Sequence, residues 1–169
     1  MNILKQIVRV IVRTAIRLYF AVVYRVKVVG TENIPDEQVI FCGNHRSFID
    51  PPIIKVTCKR DVRFLARESL AKNPLLAFLG WIFEVVYVKK DAKDIAALKA
   101  TLSYLKKGES IALFPEGTRN RTEDTLLPFK MGAVSMAQKT GATIVPFAIT
   151  GKYKFWNNKL TVTFLEPSV

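Results

Sequence analysis

The stretch Gln38-Val39-Ile40-Phe41-Cys42-Gly43-Asn44-His45-Arg46-Ser47-Phe48-Ile49-Asp50 decides how this chain is read. Its first part is a short, unbroken apolar run closed by Gly43-Asn44. That is the pattern of a strand covered on both faces. Its second part is a polar loop leading into Pro51-Pro52, and Pro51 predicts a short helix reaching about Val56. Further strands are predicted over Val62–Ala66, Phe83–Val88, Ser110–Phe114, Thr143–Ile149 and Leu160–Leu165, with another upstream over Tyr24–Val29. Between them Leu70–Trp81 reads as helical, interrupted at Asn73-Pro74. Asp91–Lys107 is the clearest helix, with Ile95, Leu98, Leu102 and Leu105 on one face and Gly108 as its stop. A last helix covers Met131–Lys139, before Gly141. Strands alternating with helices predict a single α/β domain, its sheet mostly parallel or mixed and flanked by helices.

The 169 residues are enough for one domain with a core. Half are apolar, which excludes a disordered chain. Lys and Arg number 26 against 14 Asp and Glu, a formal charge of +12. Such a surplus points to an anionic partner. One histidine and two distant cysteines, Cys42 and Cys58, make a zinc site or a disulfide framework unexpected, and no metal is predicted. Cys42 lies in an apolar strand and reads as core.

Residues 1–23 are read as a separate amphipathic helix, with the main domain over 24–169. Lys5, Arg9, Arg13 and Arg17 recur every four residues, among Ile3, Leu4, Ile7, Val8, Ile11, Val12, Ile16 and Phe20. On a helix the cations form one slanted stripe and the remaining surface is apolar. The expectation is a helix lying in an anionic membrane interface, each basic residue contributing about 1 kcal/mol there. The plainer alternative is a helix packed on the core with a solvated basic edge. The longest stretch without a charge, Thr140–Gly151, is 12 residues and contains Pro146, so no spanning helix is expected. A peripheral place on the cytoplasmic face of the cell membrane is the expectation. The apolar helix face and the lack of aromatic-interleaved basic motifs argue against nucleic acid.

In α/β sheets, sites form where strands end and helices begin. Three such segments carry polar residues. In Asn44–Asp50, His45 is the only side chain whose ordinary titration range suits a general base near neutrality. Asp50, five residues on, is near enough to fold back onto the imidazole and fix its tautomer. Asp50 also reads as a helix cap before Pro51. No serine sits in a GxSxG context, so the activated hydroxyl would be the substrate's. In Phe114-Pro115-Glu116-Gly117-Thr118-Arg119, a glycine permits close approach of an anion and an arginine grips phosphate bidentately. An ordinary turn with a surface ion pair is the alternative. Lys130, before Met131-Gly132, adds a cation at a helix start. In Tyr87-Val88-Lys89-Lys90, two cations end a strand.

Taken together, NHxxxxD at 44–50, the strand-end cation, FPEGTR at 114–119 and Val145-Pro146 in a late strand resemble the glycerolipid acyltransferase family, in that family's order and over residues 24–166. The resemblance implies that His45 deprotonates the acceptor hydroxyl and that Asp50 orients and charge-stabilises it. It implies an acyl thioester of coenzyme A or acyl carrier protein as co-substrate, with no cofactor. Lysophosphatidic acid would be the acceptor and phosphatidic acid the product. Arg119, Gly117 and Thr118 would hold the phosphate together with Lys130 and Lys90, supported by Glu116. Val145 and Pro146 would shape the acyl-chain region. Lys90 stands where the family usually has arginine. The alternatives are glycerol 3-phosphate or another lysolipid as acceptor, or a non-catalytic protein bound peripherally to a membrane.

Overall fold

Residues 3–58, 60–89, 95–156 and 159–168 are described by the computed structural model. Among them run strands β1 (Lys27–Val29), β2 (Val39–Gly43), β3 (Val62–Arg67), β4 (Val86–Val88), β5 (Ser110–Leu113), β6 (Thr143–Thr150) and β7 (Thr161–Phe164). The helices are α1 (Ile3–Val23), α2 (Asp50–Thr57), α3 (Pro74–Ile82), α4 (Ile95–Lys106) and α5 (Gly132–Thr140). The strands form one mixed sheet in the order β1-β7-β6-β2-β5-β3-β4, antiparallel at β6–β7 and parallel at the other pairings. The α/β expectation therefore holds.

The apolar runs explain the layering. Alternate residues of β2 enter different cores. Val39 and Phe41 pack with α1 and α2 through Phe20, Val23, Ile53 and Ile54. Ile40 packs on the other face with Leu105 of α4 and Met136 of α5. The connection leaving β2 runs toward β3 on one side, and that leaving β5 runs back toward β6 on the other. β2 and β5 are neighbours, so a crevice opens between the ends of these two central strands. The loops after them are the two motif-bearing segments.

Two predicted strands begin later than their sequences suggest, for one reason. Arg25 and Glu84 adopt left-handed backbone, with φ of +44° and +53°. Each closes the helix before it. The Val26 N–H returns to the Phe20 carbonyl, and the Val85 N–H to that of Gly80. β1 thus starts at Lys27 and β4 at Val86. Gly108, the predicted stop, has φ +81°, and Glu109 N–H closes α4 on the Tyr104 carbonyl. The predicted start of that helix at Asp91 lies outside the described residues.

The basic stripe of α1 departs from its expected role. Lys5 and Arg9 pair with Glu84 at 3.2 and 3.0 Å, and Arg9 also reaches Asp61 at 3.2 Å. Arg13 donates to the Cys58 carbonyl at 2.7 Å. Three of the four cations therefore clamp the helix to the domain, while Arg17 is exposed. The partly exposed carboxylates of Glu84 and Asp61 and backbone carbonyls lie within reach, and a cation satisfied by them gains more than one left in water. What α1 leaves outward is mostly apolar. Ile3, Leu4, Ile7, Val10, Ile11, Leu18 and Val22 are each more than half exposed. Beside them α3 exposes Leu75, Phe78 and Trp81, with Lys5 Nζ 4.8 Å from the Trp81 ring. Among the described residues no helix is long and apolar enough to cross a membrane.

Candidate active site

The loop after β2 is tied down at its first residue. Asn44 accepts from Ile149 N–H at 2.8 Å and donates to the Ile149 carbonyl at 3.0 Å, so its amide imitates a strand residue and pins the loop to β6. The chain then curls around the Asp50 carboxylate, which is fully buried. Asp50 Oδ2 accepts the backbone N–H groups of Arg46 (2.8 Å) and Ser47 (2.7 Å) and lies 3.0 Å from His45 Nδ1. Its Oδ1 accepts the Tyr153 hydroxyl at 2.8 Å. Asp50 therefore turns back to the loop instead of capping α2. Pro51 and Pro52 have no N–H to offer it. Oδ2 faces Nδ1 as an acceptor, so Nδ1 of His45 carries the proton and Nε2 the free lone pair.

The loop after β5 builds the other wall. The Phe114 ring stacks on the His45 imidazole, centroids 4.1 Å apart and planes 17° apart. Phe114 rests edge-on against Phe147, and Phe147 against Phe164 in the core, so the imidazole ends an aromatic column. Glu116 is buried. One of its oxygens accepts His45 N–H at 2.8 Å and the other Leu127 N–H at 3.0 Å. Asn120 N–H closes on the His45 carbonyl at 2.6 Å. Gly117 has φ +69°, and a Cβ there would stand 2.7 Å from Lys130 Nζ. Glycine at this turn thus admits the lysine. Arg67, at the end of β3, donates to the Gly117 carbonyl at 3.2 Å. The Arg119 guanidinium lies 4.8 Å from the centroid of the Phe48 ring.

These loops enclose a cavity of about 820 Å³ whose lining divides by chemistry. Arg67, Arg119, Arg121 and Lys130 bring cations to it, with the hydroxyls of Ser69, Thr118 and Thr122. Leu65, Leu70, Val88, Leu113, Leu127 and Met136 make an apolar part. His45 borders the same space. The arrangement is suited to hold an anionic head and an apolar chain while a nitrogen base meets a hydroxyl between them.

The structure brings His45, Asp50, Gly117, Thr118, Arg119 and Lys130 together at one cavity or directly behind it. Glu116 braces the backbone of two loops and is absent from the cavity wall. Both its oxygens are spent on N–H groups, and a carboxylate beside a phosphate would repel it. Val145 and Pro146 do not border the cavity. Val145 is fully buried in the core, and Pro146 lies within β6, paired in register with Cys42 of β2. The apolar lining comes from β3, β4, β5 and α5 instead. Lys90 lies outside the described residues. Sequence reasoning missed Arg67, Arg121, Asn120 and Tyr153. Of these, Arg67 carried a readable signal, a cation at the end of a predicted strand. Burial pushes the thiols of Cys42 and Cys58 up to about 12 and about 11, so neither is a nucleophile near neutral pH.

Comparison with known proteins follows the same lines. A family model described as Acyltransferase matches residues 25–150. A 1-acyl-sn-glycerol-3-phosphate acyltransferase of Borreliella burgdorferi is 36% identical over 78% of this chain and 54% of its own. One from Saccharomyces cerevisiae is 34% identical over 84% of this chain and 51% of its own. The chain thus spans about half the length of both curated relatives. The crystal structure of the 1-acyl-sn-glycerophosphate acyltransferase PlsC from Thermotoga maritima superposes with a TM-score of 0.74 at 29% identity, covering 95% of this chain and 70% of that one.

Proposed function

The chain belongs to the Acyltransferase family, and on that premise we propose that it transfers a fatty acyl group from a thioester to the free hydroxyl of 1-acyl-glycerol 3-phosphate, giving phosphatidic acid. The observation that carries this reading is the His45–Asp50 pair standing where the cationic and apolar linings of one cavity meet.

Nε2 of His45 takes the proton of the acceptor hydroxyl as its oxygen attacks the thioester carbonyl. The C–S bond breaks as the tetrahedral intermediate collapses, and the imidazolium returns the proton to the departing thiolate. Asp50 holds the Nδ1 proton and offsets the charge that the ring acquires. Arg67, Arg119 and Lys130 grip the acceptor's phosphate, the arginines through paired N–H groups. Glu116 and Asn120 hold the His45 backbone. The acyl chain lies along Leu65, Leu113 and Met136. General base catalysis supplies about 10²–10⁴-fold. Holding hydroxyl and thioester together supplies up to about 7–11 kcal/mol of the barrier. The donor, a thioester of coenzyme A or acyl carrier protein, is a co-substrate, and this scheme uses no cofactor.

The protein works peripherally on the cytoplasmic face of the cell membrane, with the outward faces of α1 and α3 in the lipid interface. Apolar area supplies that attachment more than the basic stripe, because Lys5, Arg9 and Arg13 already have partners in the domain.

Thiol release from acyl-CoA, with and without lysophosphatidic acid, tests the function in wild type and His45→Ala. Acceptor-dependent release that falls about 10²–10⁴-fold in the variant is expected. Release without acceptor means a thioesterase and overturns the proposal. If acyl-CoA gives none, the acyl-carrier-protein thioester is substituted. Silence with both leaves a binding protein. Glycerol 3-phosphate in place of the lysolipid decides between acceptors.

A further inference from the structure

Tyr153 sits in a segment that looks like plain surface. Lys152 and Lys154 beside it are exposed, as are Phe155 and Trp156 after them. Yet its side chain turns inward, packs on the core and donates its hydroxyl to Asp50 Oδ1 at 2.8 Å. The two oxygens of Asp50 are loaded unequally. Oδ2 meets His45 Nδ1 and two backbone N–H groups, while Oδ1 receives the phenol. Each donor matches a lone pair of a fully buried carboxylate, and each removal leaves one unmatched.

We propose that Tyr153 is a positioning residue for the His45–Asp50 pair, fixing the rotation of the carboxylate and drawing charge toward Oδ1, so that it sets how strongly Oδ2 holds the imidazole proton. Its geometric part stands on the hydrogen bonds alone. Its kinetic part rests on the reading of His45 as the base. Burial, and then the Asp50 charge, push the Tyr153 phenol far above its ordinary range, so it remains a donor throughout the working pH. Among the described residues, the other charged groups around the pair are Arg46 on its own loop, Glu116, Arg119, Arg121 and Lys130 from the loop after β5, Arg67 from β3, and the exposed Lys152 and Lys154 beside Tyr153. All stay in place when Tyr153→Phe removes one oxygen, so any change reports the hydroxyl.

His45 is the single histidine, so NMR of its ring gives one titration curve without any substrate. In Tyr153→Phe the curve is expected to move to higher pH, because a carboxylate short of one donor binds the imidazolium more strongly. Acyl transfer should lose about 10-fold in kcat with KM little changed, the scale of one hydrogen bond to a charged group. In a His45→Ala background the same substitution should cost nothing more. Superimposable titration curves would overturn the proposal. So would a Tyr153→Phe protein that works like wild type while Tyr153→Leu fails, since the ring's packing would then be the whole role. If wild type transfers no acyl group, the functional reading falls, and the titration still decides Tyr153.

Discussion

His45 is defined less by its own side chain than by what holds it. Its ring lies between Asp50 and Phe114, and its backbone N–H and carbonyl are taken by Glu116 and Asn120. Glu116→Gln should therefore damage the protein although Glu116 does not border the cavity. Glutamine has one acceptor oxygen for two buried N–H groups, and its amide would face the second. The cost is about 1–3 kcal/mol, read as a Tm several degrees lower and a matching loss of acyl transfer. Phe114→Leu should leave the fold intact but free the imidazole to tilt. Loss of the aromatic contact costs about 0.5–1.5 kcal/mol, so Tm should fall by a few degrees, and kcat measured well below Tm should fall as well. At this scale the sequence was legible where partners are close along the chain. His45 and Asp50 are five positions apart. Tyr153 lies 103 positions from Asp50, among lysines that mark a surface loop. Val145 and Pro146, expected to shape the acyl-chain region, do not line the cavity described, and a strand's motif does not say which of its faces meets a cavity.

Element α1 is held by charge on one side and unmatched on the other. Burial alone would push the Glu84 carboxyl up, but Lys5, Arg63 and Arg9 outweigh it and hold it below its ordinary range. Asp61 is held low in the same way, burial being outweighed by Lys55, Arg9 and Arg13. A carboxyl depressed in the folded state adds stability above its unfolded range, near pH 4, and loses it as pH falls through the lower folded value. Urea midpoints should thus drop below about pH 4. Glu84→Gln should lower the unfolding free energy at pH 7 by about 1 kcal/mol, the upper end for solvent-touched pairs, read as a lower urea midpoint, and flatten the acid dependence. An unchanged acid profile would mean that other carboxyls govern it. On the outward side, Ile11→Ser with Leu18→Ser removes apolar area that the fold does not use. Pelleting with anionic liposomes should fall sharply at unchanged Tm. The helix itself was readable from its periodicity. Which of its faces met the domain was not, because Glu84 and Asp61 are distant in sequence. Nor could the late starts of β1 and β4 be read, since positive φ at Arg25 and Glu84 has no glycine to announce it.

For the whole molecule, the alternation of strands and helices made the α/β class legible, while the strand order depends on pairings that no local pattern records. That order brings the two motif loops to one crevice. The same crevice gathers Arg67, Arg119, Arg121 and Lys130 in a protein of net charge +12. Binding of a phosphate-bearing acceptor should weaken as salt screens this field, so KM for a short-chain, monomeric lysophosphatidic acid should rise between low and physiological ionic strength, with kcat little altered. A salt-independent KM would mean that the head binds elsewhere. The inward stripe of α1 has a last consequence, in the order of manufacture. A ribosome makes Lys5, Arg9 and Arg13 first, but their partners Asp61 and Glu84 emerge only dozens of residues later. His45 and Asp50 likewise wait for Glu116, Leu127 and finally Tyr153. A half-made chain therefore offers a greasy, cationic helix with none of its anchors and a histidine with no frame around it. The proposed attachment to lipid needs nothing beyond this helix, whereas the proposed reaction centre waits until Tyr153 has been made.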